Sequence, residues 1–81
     1  MLDKRETPRM RQLKQGRIIF NERRSVLSCT IRNCTTNGAL VSVGEAFLVP
    51  WRFELSVSGG APRKAHRVWA KASEIGLKFD A

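Results

Sequence analysis

The sequence predicts an all-β domain, a small barrel or sandwich. Three observations carry that expectation. About six short segments alternate apolar and polar residues with a period of two, and turn-forming residues separate them at regular intervals. No stretch shows a convincing helical period, a repeat or low complexity.

Residues 1–13 are polar and irregular. Pro8 fixes its own φ and pushes Thr7 toward extended backbone, so Arg5 and Arg9 are not expected to share a regular helix. The segment reads as a flexible arm, mobile until something holds it. From Lys14 the pattern turns β. Arg17-Ile18-Ile19-Phe20 ends at a polar turn, Asn21-Glu22-Arg23-Arg24. In the next strand Leu27, Cys29 and Ile31 share one face, with Ser28, Thr30 and Arg32 on the other. Asn33 falls on the apolar parity, so the strand is expected to leave the core there. Asn37-Gly38 supplies a turn with φ > 0 available, and Ala39, Val41 and Val43 then share a face.

After Gly44 to Pro50 comes the cleanest alternation: Trp51, Phe53, Leu55 and Val57 are expected inward, and Arg52, Glu54, Ser56 and Ser58 outward. Ser58-Gly59-Gly60-Ala61-Pro62 breaks it. Residues 63–71 form another strand of unsettled parity, because Val68 and Trp69 are adjacent. Ile75, Leu77 and Phe79 close the pattern, alternating with Gly76, Lys78 and Asp80. The chain thus divides into an arm over 1–13 and a β domain over 14–81.

With 81 residues there is room for one domain and one modest core. Lys and Arg number 15 against 7 acids, a formal charge of +8, and most of the cations are Arg. Arg pairs two-point with phosphates and guanine edges and stacks on bases, so the bias favours a nucleotide, nucleic-acid or phosphate partner over a generic solvated face. Residues 1–15 hold no apolar run, and no later stretch is long enough to span a membrane as a helix. The expectation is a soluble cytoplasmic protein without a membrane span.

Cys29 and Cys34 lie on one predicted strand, about 16 Å apart at roughly 3.3 Å per residue. A disulfide tolerates only about 4.4–6.8 Å between Cα atoms. Both thiols are expected free, as small apolar filler. One histidine and no Cys-x-x-Cys pair give no expected metal site.

Two short signals stand out. Arg5-Glu6-Thr7-Pro8-Arg9 places two arginines four apart. Asn33-Cys34-Thr35-Thr36-Asn37-Gly38 ends the second predicted strand. Each has an ordinary explanation: Arg63 and Arg67 form a second such pair, and Asn, Thr and Gly brace turns. In this order, followed by β segments and by Ile75-Gly76-Leu77-Lys78-Phe79, they resemble the RxxxR, (D/N)xSxxG and closing hydrophobic-Gly-hydrophobic-x-Phe motifs of PilZ domains, bacterial receptors for cyclic di-GMP. Val68-Trp69 is similar to the strand before that ending. The resemblance covers roughly residues 4–79.

It implies a six-stranded antiparallel split barrel with a ligand held against the barrel's outer surface by the arm. The C-terminal helix that many relatives carry is not expected here, a departure from the family. Carried over residue by residue, Arg5 and Arg9 would clamp phosphates or guanine edges. Asn33 would offer a donor and an acceptor, Thr35 a hydroxyl, and Gly38 a close backbone approach or the needed turn. Trp69 would stack a guanine or serve as a core aromatic. Lys4, Arg11 and Lys14 would add flanking charge. The family's Ser is Thr35 here, which keeps the hydroxyl and adds a methyl.

The expected function is a cyclic di-GMP receptor that closes its arm on the ligand and signals through a partner protein. It needs no cofactor besides that ligand. A PilZ-like adaptor that binds only protein is one alternative. A small basic nucleic-acid-binding barrel is another, disfavoured by aromatics expected to point inward. An enzyme is not expected: His66 is alone, and no carboxylates cluster by spacing.

Overall fold

The computed structural model describes residues 13–80. Six strands form a closed antiparallel barrel: β1 (Lys14–Phe20), β2 (Ser25–Cys34), β3 (Gly38–Ser42), β4 (Arg52–Val57), β5 (Arg63–Lys71) and β6 (Glu74–Phe79). Around the barrel the order is β1-β2-β3-β6-β5-β4, with β4 returning to β1. The predicted all-β class and six-stranded barrel are what is found. Among the described residues the helical content is one 3-10 turn, Ala46–Leu48.

Period-two patterning supplies the core. Ile18, Ile31, Val41, Leu55 and Ile75 come from five different strands and are all buried. Each such side chain contributes about 1.5–3 kcal/mol relative to an exposed one. The 3-10 turn closes one end of the barrel. Its i, i+3 spacing turns Ala46 and Val49 onto the core, where both are buried, and leaves Phe47 and Leu48 facing solvent.

The β1–β2 connection is unusual. Asn21, Glu22 and Arg23 all have left-handed backbone, with φ of 57°, 56° and 69°. That conformation costs roughly 1–2 kcal/mol per non-glycine residue. The turn is closed by the Arg24 N–H donating to the Asn21 carbonyl at 3.0 Å. It is also tied to β4 by the Arg23 guanidinium, 3.3 Å from the Glu54 carboxylate.

Two bulges rearrange the faces. In β2, Ile31 pairs with Val41 and Asn33 with Leu40, so Arg32 is an extra residue. The insertion reverses the alternation, and Asn33 joins Leu40 on the outer face. Asn33 therefore stays out of the core as expected, but through a bulge, while the strand continues to Cys34. In β5, Arg67 pairs with Leu77 and Trp69 with Gly76, leaving Val68 as the extra residue. This accounts for the adjacent Val68 and Trp69, whose parity the sequence could not settle.

Several expectations are corrected. Trp51, expected inward, is exposed: it precedes the first residue of β4, and its ring packs on His66 with centroids 5.2 Å apart. Ser56, expected outward, is buried, and its hydroxyl donates to the Gly60 carbonyl at 2.7 Å, tying β4 to the loop after it. Cys34 is not apolar filler. It is exposed, whereas Cys29 is buried, and both thiols are free on β2.

Candidate functional site

The β2–β3 connection carries the Asn33–Gly38 motif and is shaped by Thr35. Its Oγ1 accepts the N–H groups of Asn37 at 3.1 Å and Gly38 at 3.2 Å. The Thr35 N–H donates to the Gly38 carbonyl at 2.8 Å. These bonds satisfy the turn's backbone locally, as Ser and Thr hydroxyls do in such turns.

Gly38 does not use the φ > 0 freedom expected of it. It is required by proximity, because a Cβ there would run into the Leu77 carbonyl of β6. The turn is further anchored by the Phe79 N–H donating to the Asn37 carbonyl at 2.8 Å. Arg63 donates to the Thr36 carbonyl at 3.4 Å, while its guanidinium carbon lies 3.8 Å above the Phe79 ring.

Pairing aligns the outer-face residues in rows. Asn33 pairs with Leu40, Leu40 with Gly76, and Gly76 with Trp69. At about 4.8 Å per strand, the Asn33-to-Trp69 row spans roughly 14 Å. Gly76 is the seat of the Trp69 indole, since a Cβ at that position would overlap the ring. Trp69 is therefore a half-exposed outer aromatic and not a core one. A parallel row runs from Gly38 to Lys78, His66 and Arg52.

Four residues on or beside this face were not singled out by the sequence. Arg32, the bulge residue beside Asn33, donates to the Ser42 hydroxyl at 3.4 Å. Lys78 stands opposite Gly38. His66 Nδ1 is 2.8 Å from Asp80 Oδ1, and Arg63 holds the turn. Lys78 could have been found from the β6 alternation. Alternation put Arg32 on the outer face, but not beside Asn33, because the bulge brings Asn33 out to join it. Lys71 adds another cation, with Nζ 5.7 Å from the Trp69 ring centroid. The face is thus predominantly basic, with Trp69 exposed on it and Trp51 exposed at its His66 edge.

Asn33, Thr35, Gly38 and Trp69 are brought onto or beside one outer surface. Arg5, Arg9, Lys4 and Arg11 lie outside the described residues. Lys14, the first residue of β1, pairs with Ile31, two residues before Asn33. The chain therefore comes into the barrel at the end that carries the motif. Among the described residues no group of three metal-ligating side chains occurs, and no helix is long and apolar enough to cross a membrane.

Compared with models of protein families, with curated proteins and with solved structures, the chain matches none.

Proposed function

We propose that this chain is a receptor for cyclic di-GMP and not an enzyme, acting through a partner protein in the cytoplasm. The observation that carries the reading is one outer row, Asn33-Leu40-Gly76-Trp69, whose Asn33 end adjoins the Thr35–Gly38 turn and the entry of Lys14. Arg9 is five residues before Lys14 and Arg5 nine. At roughly 3.3–3.6 Å per residue, they reach at most about 18 Å and about 32 Å from it. The shorter covers the Asn33 end of the row, and the longer reaches Trp69 as well.

The chemistry supports the same ligand. Two phosphodiester charges suit a face holding Arg32, Lys71 and Lys78, joined by Arg5 and Arg9. Each bidentate contact of an arginine to a guanine edge is worth about 1–3 kcal/mol. Trp69, resting on Gly76 and partly exposed, offers an aromatic surface for stacking. Holding the arm costs on the order of 1–2 kcal/mol per residue. Only the stretch around the two arginines is then held tightly, and its closure makes the new surface a partner reads.

Calorimetric titration of the chain with cyclic di-GMP, with GTP as control, tests this reading. Saturable binding that is lost in an Arg5→Ala/Arg9→Ala double variant supports it. No heat and no thermal stabilisation at saturating ligand returns the chain to the protein-only adaptor.

A nucleic-acid partner is the second reading, and one observation favours it. Trp51 and Trp69 are both exposed, Trp69 with Lys71 beside its ring and Trp51 followed by Arg52, an interleaving of aromatics and cations of the kind that stacks single-stranded bases. Binding of mixed-sequence oligonucleotides that falls steeply with salt would establish it.

A further inference from the structure

The 3-10 turn leaves an apolar surface outside the barrel that the nucleotide reading does not use. Phe47 is 77% exposed, Leu48 45%, Trp51 56% and Val68 52%. The four are neighbours. Phe47 and Leu48 share the turn, which lies against β5, and the Arg67 N–H donates to the Trp51 carbonyl at 2.9 Å, placing Val68 beside that strand end. The exposure follows from the fold. Ala46 and Val49 must plug the barrel, and the bulge at Val68 turns that side chain out of the alternation. Large apolar side chains grouped at one place on so small a surface mark an interaction site.

Charge defines the occupant. The outer row Arg52-His66-Lys78 begins beside Trp51, whose ring packs on His66, and runs across three strands for roughly 10 Å. An apolar knob continued by a row whose cations are Arg52 and Lys78, with His66 between them paired to Asp80, fits an elongated acidic segment with apolar anchor residues. A lipid surface fits less well, because the cations run along the barrel side, while Glu45, beside the turn, would be pressed toward anionic headgroups. A second copy of the chain would set one basic strip against another at a net charge of +8 each.

We infer that Phe47, Leu48, Trp51 and Val68, together with the Arg52-His66-Lys78 row, dock an acidic segment of a partner protein through its apolar side chains. This does not depend on the nucleotide. The surface exists in the free chain. Lys78 is common to both faces, but the test reads Phe47, Trp51 and Arg52, which the receptor reading does not use, so the two failures are separable.

The test is selection of a random displayed peptide library on the full chain without nucleotide. Counter-selection uses a Phe47→Ser/Trp51→Ser variant whose melting curve shows it folded. The expected peptides combine acidic residues with Leu, Phe or Trp. One of them, synthesised, binds about tenfold more weakly when Phe47 is replaced by Ser, and again when Arg52 is replaced by Glu. A library that yields no peptide distinguishing chain from variant, or peptides without acidic bias, overturns the inference. So does partition onto vesicles of phosphatidylglycerol and phosphatidylcholine that Phe47→Ser abolishes, or a dimer in sedimentation that the same change dissociates. Nuclear Overhauser contacts between residues 1–12 and Phe47 in the free chain would also overturn it.

Discussion

Thr35 and Gly38 hold each other. The Thr35 N–H donates to the Gly38 carbonyl at 2.8 Å, and the Gly38 N–H returns a bond to Thr35 Oγ1 at 3.2 Å. With Asn37 also donating to that oxygen, the hydroxyl's acceptor capacity is taken up by its own turn. What the motif presents to a ligand is thus a shaped backbone and the Asn33 amide, since the Thr35 O–H also donates within the turn, to the Gly38 carbonyl at 3.4 Å.

Replacing Thr35 separates shape from chemistry. Thr35→Val keeps the branched shape and removes the oxygen, which costs about 1 kcal/mol for an exposed turn. That lowers the melting temperature by about 4–8 °C in a domain of this size. Thr35→Ser restores the oxygen and stays close to the parent. Paired thermal melts check both.

Gly38 is held to its identity by β6. Gly38→Ala drives a methyl into the Leu77 carbonyl, which is backbone and cannot swing away. The expected loss is about 1–3 kcal/mol in denaturant unfolding. Gly44→Ala, where nothing lies within 4 Å, is the control and changes stability by less than about 0.5 kcal/mol.

Most of the barrel was legible because four of its core positions, Ile31, Val41, Leu55 and Ile75, obey strict alternation, whereas Ile18 lies in the unbroken apolar run Ile18-Ile19-Phe20 and only the structure gives its face. Closure and strand order are not properties of local patterning, and the six-stranded barrel came from the family resemblance. Alternation failed where the register shifts. Arg32 and Val68 are single-residue insertions that no local pattern announces, and each decides where a neighbour, Asn33 or Trp69, is placed. Trp51 was misplaced because it lies one residue outside β4. The Asn33–Gly38 motif was legible as a string, but its proximity to Trp69 is a product of three strand pairings.

The Trp69 seat yields its own prediction. In a Trp51→Phe background Trp69 is the remaining indole. Gly76→Ala then displaces the ring, shifts its emission to the red and raises its quenching by acrylamide. Unchanged emission would mean that the ring does not rest on Gly76.

The buried thiol predicts a pH dependence. Burial pushes Cys29 from its ordinary 9.0 up to about 11. Between those values the unfolded chain has released the proton and the folded one still holds it. Stability is therefore full below about pH 9 and declines as pH rises toward about 11. Cys29→Ala, although less stable overall, lacks this alkaline decline relative to the parent. On the native chain at pH 8, a thiol reagent modifies the exposed Cys34 well before Cys29.

The receptor account is tested most directly by following backbone amides of the full chain during a cyclic di-GMP titration. It predicts saturating shifts at Asn33, Leu40, Gly76 and Trp69, with order parameters rising across residues 3–13. Shifts elsewhere on the barrel, or order parameters of residues 3–13 unchanged at saturation, would contradict it.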